Sequence, residues 1–144
     1  MIQRVQSIYL CIAAILAGCA AFSVSLWTTV VDSTVYAQDL IHHPSVLLKT
    51  IFFAFLVSAV LSLVAIFLFK KRQLQFVLGR VNLLVNLYLL GVLIYVSQTL
   101  PGEAAVSEKG IGLFFPIVVV LLLVIANKAI KKDEELVKSV DRLR

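Results

Sequence analysis

The chain has 144 residues, 61% of which are hydrophobic, and a mean hydropathy of +1.03. Soluble domains are about 45–50% apolar, so this composition excludes an ordinary soluble protein. The formal net charge is +5, but the cations flank apolar runs and are not gathered on one face. That distribution argues against nucleic-acid binding and predicts an integral membrane protein.

Four runs without a charged residue, at about 7–27, 50–69, 81–100 and 111–127, account for most of the chain. A helix needs about 20 apolar residues to cross roughly 30 Å of hydrocarbon. Because a spanning segment must satisfy its own backbone hydrogen bonds, the predicted fold class is all-α. We expect a single four-transmembrane-helix bundle with no room for a soluble domain.

The positive charges indicate the orientation of this bundle. Eleven of the 13 Lys and Arg residues fall on one side of the four-span arrangement, and only Lys49 and Lys109 fall on the other. Short loops rich in Lys and Arg stay in the cytoplasm. The sequence therefore predicts that both termini are cytoplasmic.

Small residues recur every four positions in the first two spans. They form one ridge at Ala13, Ala17, Ala21 and Ser25, and a second at Ala54, Ser58 and Ser62. Small residues at this spacing let helix backbones approach closely within lipid. We expect these ridges to pack helices together, and Trp27 to anchor the first span at the membrane interface.

The first span also permits a second interpretation. Residues 16–19 read LAGC, which is similar to the lipobox at which bacterial lipoproteins are cleaved and acylated. Cleavage would make Cys19 the lipidated amino terminus and leave three spans. The chain stays apolar for eight residues after Cys19, so an uncleaved span is favoured. Cys11 and Cys19 lie about 12 Å apart along a helix, too far for a mutual disulfide.

The first outer loop combines two β-prone runs with three metal-ligand residue types. The runs TTVV and STVY flank a turn at Asp32-Ser33, which is compatible with a small β-hairpin. The ligand types are Asp39, His42 and His43. A zinc site needs three or four convergent ligands, so we predict neither a metal nor any other cofactor here.

The third span carries the strongly polar residues at membrane depth. Asn82 and Asn86 lie one helical turn apart, and Gln98 lies near the outer end. These side chains either line a path for a ligand or ion, or hydrogen-bond to a neighbouring helix. Helix packing is favoured, because transport sites usually add an ionisable group.

The fourth span has Pro116 about one turn from its start, where a proline can kink a helix. No Gly or Pro separates this span from the charged tail at 128–144, so a single continuous helix is predicted. One face of the tail is apolar and is interrupted only by Asp133. Its members are Ala126, Ala129, Ile130, Leu136, Val137, Val140 and Leu143.

An apolar stripe on a cytoplasmic helix must be buried against something. The candidates are another membrane protein, a second copy of this chain, the 70–80 loop, or the lipid surface. The acidic residues of the tail weaken attraction to anionic lipid, so a protein contact is favoured. The predicted contact residues are Ile130, Leu136, Val137, Val140 and Leu143.

Both ends of the chain carry a resemblance. The segments MIQRVQSIYLCIAAIL and ANKAIKKDEELVKSVDRLR resemble an uncharacterised four-span inner-membrane family of Bacteroidota, the domain-of-unknown-function family 4293. The resemblance covers the whole chain and implies a membrane location. It implies no activity and no catalytic or binding residues.

The sequence lacks the groups on which enzymes depend. No charged residue lies within a span, and no glycine-rich phosphate loop, CxxC or HExxH is present. We therefore predict a non-catalytic structural or accessory subunit that binds another membrane protein, or itself, through the tail helix and the small-residue faces. The alternatives are a small oligomeric transporter or channel, or a lipid-binding bundle, that uses Asn82, Asn86 and Gln98.

Overall fold

The computed structural model describes residues 2–28, 34–99, 108–109 and 111–144. Four long α-helices dominate: α1 (Ile2–Phe22), α2 (Val46–Phe67), α3 (Arg72–Thr99) and α4 (Phe115–Arg142). Short 3-10 helices at Ala37–His42 and Ile111–Leu113 precede α2 and α4. The all-α class predicted from the sequence is thus observed in the described residues, with a small sheet added.

Among the described residues, three helices are long and apolar enough to cross a membrane, namely Val5–Phe22 within α1, α2 and α3. The length and hydropathy of these helices confirm the prediction of a membrane protein. The α4 helix begins later than expected, so that only residues 115–127 precede its first lysine, Lys128. Its uncharged helical part is therefore shorter than a typical crossing of about 20 residues.

The four helices pack side by side, in contact with two neighbours each. Helices α1 and α3 both pack against α2 and α4. The outward surfaces are apolar: for example, Phe53, Val57 and Val60 of α2 are about half exposed. A soluble protein rarely shows so continuous an apolar surface, whereas lipid covers it without cost.

The small-residue ridge of α1 lies inside this arrangement. Ala13, Ala17 and Ala21 are fully buried, because α1 packs closely against α2 and α4. Ser25 does not continue the ridge, since α1 ends at Phe22 and Ser25 begins a strand. The prediction that Trp27 anchors the first span at the membrane interface is also wrong, because Trp27 is 5% exposed and packs in the core.

A three-stranded sheet closes one end of the helices, which we call the sheet end. Strand β1 (Ser25–Thr28) pairs antiparallel with both β2 (Thr34–Tyr36) and β3 (Glu108–Lys109), in the order β2-β1-β3. The expected hairpin is therefore present, shifted toward the end of α1. The turn expected at Asp32-Ser33 lies outside the described residues. So do residues 100–107 and 110, between the predicted third and fourth spans.

The opposite end is formed by the α2–α3 connection, the first turns of α3 and the last turns of α4; we call it the charged end. Here α3 begins at Arg72, before the start of the predicted third span at about 81, so residues 72–80 are helical. Pro116 lies in the first turn of α4, where its missing N–H leaves no bond unmade. A proline kink is consequently not needed, and α4 continues to Arg142 as predicted.

Candidate functional sites in the helix interior and on the α4 extension

The two asparagines of α3 point into the helix interior and bond to α2. Asn82 Nδ2 donates to the backbone oxygen of Ser58 (3.1 Å) and to Ser62 Oγ (2.7 Å). Asn86 Nδ2 donates to Ser58 Oγ (2.7 Å). All four residues are at most 1% exposed, so the second small-residue ridge and the asparagine pair form one interhelical cluster. Ala54 of that ridge is partly buried beside the core.

The same cluster is linked within α3. Asn86 Nδ2 also lies 2.9 Å from the backbone oxygen and 3.0 Å from Oδ1 of Asn82. Gln98, in contrast, is exposed near the sheet end of α3. The structure therefore does not bring Gln98 together with the asparagine pair, and the three residues do not share one face.

Further buried polar residues extend this interior toward the charged end. Gln75 of α3 is 2% exposed, and Gln6 of α1 is 3% exposed. Sequence reasoning missed Gln75, although the spacing of Gln75, Gly79, Asn82 and Asn86 places all four on one helical face. The buried face of α3 is thus polar near the charged end and apolar, from Leu89 onward, near the sheet end.

Asn127 of α4 packs on Gly79 of α3. A Cβ atom built on Gly79 would collide with Asn127 Oδ1, so a larger residue at 79 would require the Asn127 side chain to move. Asn127 is 9% exposed, and its Oδ1 has no hydrogen-bond donor among the described residues. Helices α3 and α4 therefore approach closely at Gly79, and their contact leaves Asn127 Oδ1 without a hydrogen-bond donor among the described residues.

The α4 extension beyond this contact carries the apolar stripe expected to bind a partner. Ile130 is 1% exposed, so it belongs to the chain's own core and is not available to a partner. The distal members remain open: Leu136 is 45%, Val137 42%, Val140 61% and Leu143 88% exposed. The stripe that remains for an interaction is therefore this group of four, which we call the distal stripe.

Asp133, which interrupts the stripe in sequence, faces the first residue of α3. Arg72 Nε lies 3.4 Å from Asp133 Oδ2, but the N–H is not aligned for a hydrogen bond, so the contact is electrostatic. Two i,i+4 ion pairs lie on the charged face of α4, Lys138 Nζ to Glu134 Oε1 at 2.8 Å and Lys131 Nζ to Glu135 Oε1 at 3.9 Å. Asp133 thus makes an electrostatic contact between α4 and α3.

Two of the three candidate metal ligands in the first outer loop, Asp39 and His43, make local hydrogen bonds to the backbone. Asp39 Oδ2 accepts the backbone N–H of Tyr36 at 3.0 Å, and His43 Nδ1 accepts that of Ser45 at 3.2 Å. His42 is exposed. Within the described ranges no three His, Cys, Asp or Glu residues are grouped to hold a metal ion.

Both cysteines lie on α1 with exposed side chains and free thiols. Residues 16–19, the lipobox-like stretch, are helical. Cys11 and Cys19 therefore face the surroundings of the helices, rather than filling the interior between them.

Comparison with known proteins gives one match. No curated protein and no solved structure matches this chain. A family described as a domain of unknown function, DUF4293, matches residues 2–143. The match extends over nearly the whole chain, so the protein belongs to this uncharacterised DUF4293 family.

Proposed function

We propose that the protein is a non-catalytic subunit of the bacterial inner membrane that spans the bilayer four times, with both termini in the cytoplasm. Crossing by α4 is supported by its contacts at both ends. Gly112, just before α4, lies against the backbone of Ser25 in the sheet, and Asp133 meets Arg72 at the charged end. Because α4 packs along α1 and α3, it covers the same height as helices that are long enough to span.

The orientation follows from the distribution of charge. The charged end carries Lys70, Lys71 and the lysines of α4, whereas the sheet end has Lys49 and Lys109. The positive-inside tendency places the charged end in the cytoplasm. This topology predicts that a cysteine introduced at Ser139, in a variant with Cys11 and Cys19 replaced by Ser, is protected from a membrane-impermeant thiol reagent in intact cells. Gln38→Cys at the sheet end is the matched control and should be labelled; labelling at Ser139 would contradict the topology.

The proposed role rests on the exposure of the distal stripe. It lies on a helix that continues without a break from the membrane-facing part of α4. Fully burying one Val or Leu side chain gains about 1.5–3 kcal/mol, so a partner that covers the stripe gains a substantial part of its binding energy there. The proposed function is that of an accessory subunit that binds another membrane protein through this stripe.

The small-residue faces of α1 and α2 are not part of the proposed binding surface. The ridge of α1 and the Ser58–Ser62 ridge are buried within the chain, so they hold its own helices together. A path through Asn82, Asn86 and Gln98 has less support, because the asparagine amides donate to α2 and Gln98 lies apart from them.

A photo-crosslinking amino acid at Val140 tests the proposed role in native membranes. Trapping of a discrete membrane protein at Val140, and its absence with the same probe at Arg142 on the charged face, is the expected result. A product with the mass of two copies would identify the partner as the protein itself. If nothing is trapped at Val140 and the purified protein is monomeric, the distal stripe is not a binding surface.

A further inference from the structure

A groove between α3 and α4 at the charged end combines cations with an apolar floor. It has a volume of about 310 Å³ and is lined by Phe76, Arg80, Leu83, Val124, Asn127, Lys128 and Lys131. Three of these side chains are basic and none is acidic. We propose that this groove binds the phosphate headgroup of an acidic phospholipid.

The position of the cations along the helices matches the level of lipid headgroups. Arg80 is the first charged residue of α3 reached from the sheet end, and Lys128 is the first of α4. Toward the sheet end from these cations the groove continues with Leu83 and Val124. A phospholipid presents the same sequence of properties, with phosphate at the interface and acyl chains beneath it, so the apolar part favours a lipid over a soluble phosphate.

The cations of this groove are not neutralised by the chain itself. Arg80 and Lys128 make no ion pair with any described residue, and Lys131 lies 3.9 Å from Glu135 in an exposed pair, which is weak. The Arg80 guanidinium lies over the Phe76 ring, 4.3 Å from its centroid. That contact holds the guanidinium beside the groove and leaves its N–H groups to bind phosphate.

A neighbouring groove differs from this one in its balance of charge. It is larger, about 780 Å³, and runs between the α2–α3 connection and the α4 extension. Two of its cations are already paired, Arg72 with Asp133 and Lys138 with Glu134, and Glu134 lines it. Lys70 and Lys71 also line the larger groove, without an ion pair among the described residues. The difference is the carboxylate of Glu134, since the lining of the smaller groove contains cations and no acid. The smaller groove is therefore the better fit for a phosphate.

Asn127 gives the floor of the groove a polar group. It is buried, and its Oδ1 lacks a donor among the described residues. Its Oδ1 faces Gly79, so a headgroup in the groove meets the cations and not this acceptor. Phosphatidylglycerol, whose headgroup carries a net negative charge, is an appropriate probe of those cations.

The test uses the full-length protein purified in mild detergent, with native mass spectrometry to count bound lipids. Phosphatidylglycerol should bind more tightly than phosphatidylcholine with the same acyl chains. Arg80→Gln combined with Lys128→Gln should weaken phosphatidylglycerol binding about 30-fold, the loss expected for two interfacial cations. Lys132→Gln combined with Arg142→Gln removes the same charge from α4 outside the groove and should leave binding unchanged.

Three outcomes would overturn the inference: equal losses in the two double variants, equal affinity of the wild type for the two lipids, or displacement of the lipid by soluble glycerol phosphate at a similar concentration. The comparison of lipids on the wild type needs no variant, so the test stands even if the groove variant does not fold. Arg80→Lys combined with Lys128→Arg keeps both charges and should retain most of the affinity.

The inference rests on the proposed crossing of the membrane by α4, and the two can fail separately. Labelling of the Ser139 cysteine from outside would overturn the topology. The lipid measurements are made on purified protein, so they do not depend on whether the distal stripe binds a partner.

Discussion

Replacing Asn82 with alanine should destabilise the protein through loss of helix packing. The change removes two interhelical hydrogen bonds, to the backbone oxygen of Ser58 (3.1 Å) and to Ser62 Oγ (2.7 Å). Interhelical hydrogen bonds within membranes contribute about 0.6 kcal/mol on average and up to about 1.7 kcal/mol. With the small cavity left behind, we expect the free energy of unfolding to fall by about 1–3 kcal/mol.

The unfolding equilibrium can be followed in mixed detergent with increasing SDS. Trp27 is the single tryptophan and is buried in the core near the sheet, so its fluorescence reports on tertiary structure while circular dichroism follows the helices. Gln98→Ala is the control: Gln98 is exposed, so the free energy of unfolding should change by less than about 0.5 kcal/mol.

A double-mutant cycle separates the hydrogen bond from the general cost of truncation. Asn82→Ala and Ser62→Ala should be coupled by about 0.6–1.7 kcal/mol, because each removes the same bond. Asn82→Ala and Ser97→Ala should show no coupling, since Ser97 Oγ donates to the backbone of Ile94 in its own helix. The reasoning is refuted if Asn82→Ala unfolds as the wild type does, or if the first cycle gives no coupling.

Two further changes test the contacts between α3 and α4. Gly79→Ala should destabilise the protein by about 1–3 kcal/mol, because its Cβ collides with Asn127 Oδ1; Asn127→Ala should recover part of this loss, and no recovery would place the strain elsewhere. Asp133→Ala should cost less than about 1 kcal/mol, since the side chains of Arg72 and Asp133 are 28% and 14% exposed. The loss should shrink at 1 M salt in the same unfolding assay, and a salt-independent loss would mean that the Arg72–Asp133 attraction is not its source.

The elements that could be predicted from the sequence are those set by local composition. Long apolar runs become helices because a membrane helix satisfies its own backbone, and the bounds of α2 came within a few residues of expectation. The asparagine pair was correctly placed one turn apart, on one face. Strand β2 lies within the β-prone run STVY and is antiparallel as expected, but its partner β1 precedes most of the run TTVV.

Other features depended on residues distant in the chain. The end of α1 at Phe22 cannot be found from hydropathy alone, because Ser25 and Trp27 continue the uncharged run of the span before them. They leave the helix to pair with β2 and with β3, which lies more than 70 residues away. The burial of Trp27 follows from that pairing, and so does the error in assigning it to the membrane interface.

By itself, the sequence determined that this protein is helical and apolar on its outward surfaces, because hydropathy and charge act locally along the chain. Only the tertiary structure decided which polar side chains are paired, and which apolar side chains are buried, within the chain itself. Ile130 looked like part of a docking face, but it is buried within the chain. Asp133 looked like an interruption, but it meets Arg72 across helices. Among the described residues, the distal stripe has no apolar cover, and Arg80 and Lys128 have no acidic partner.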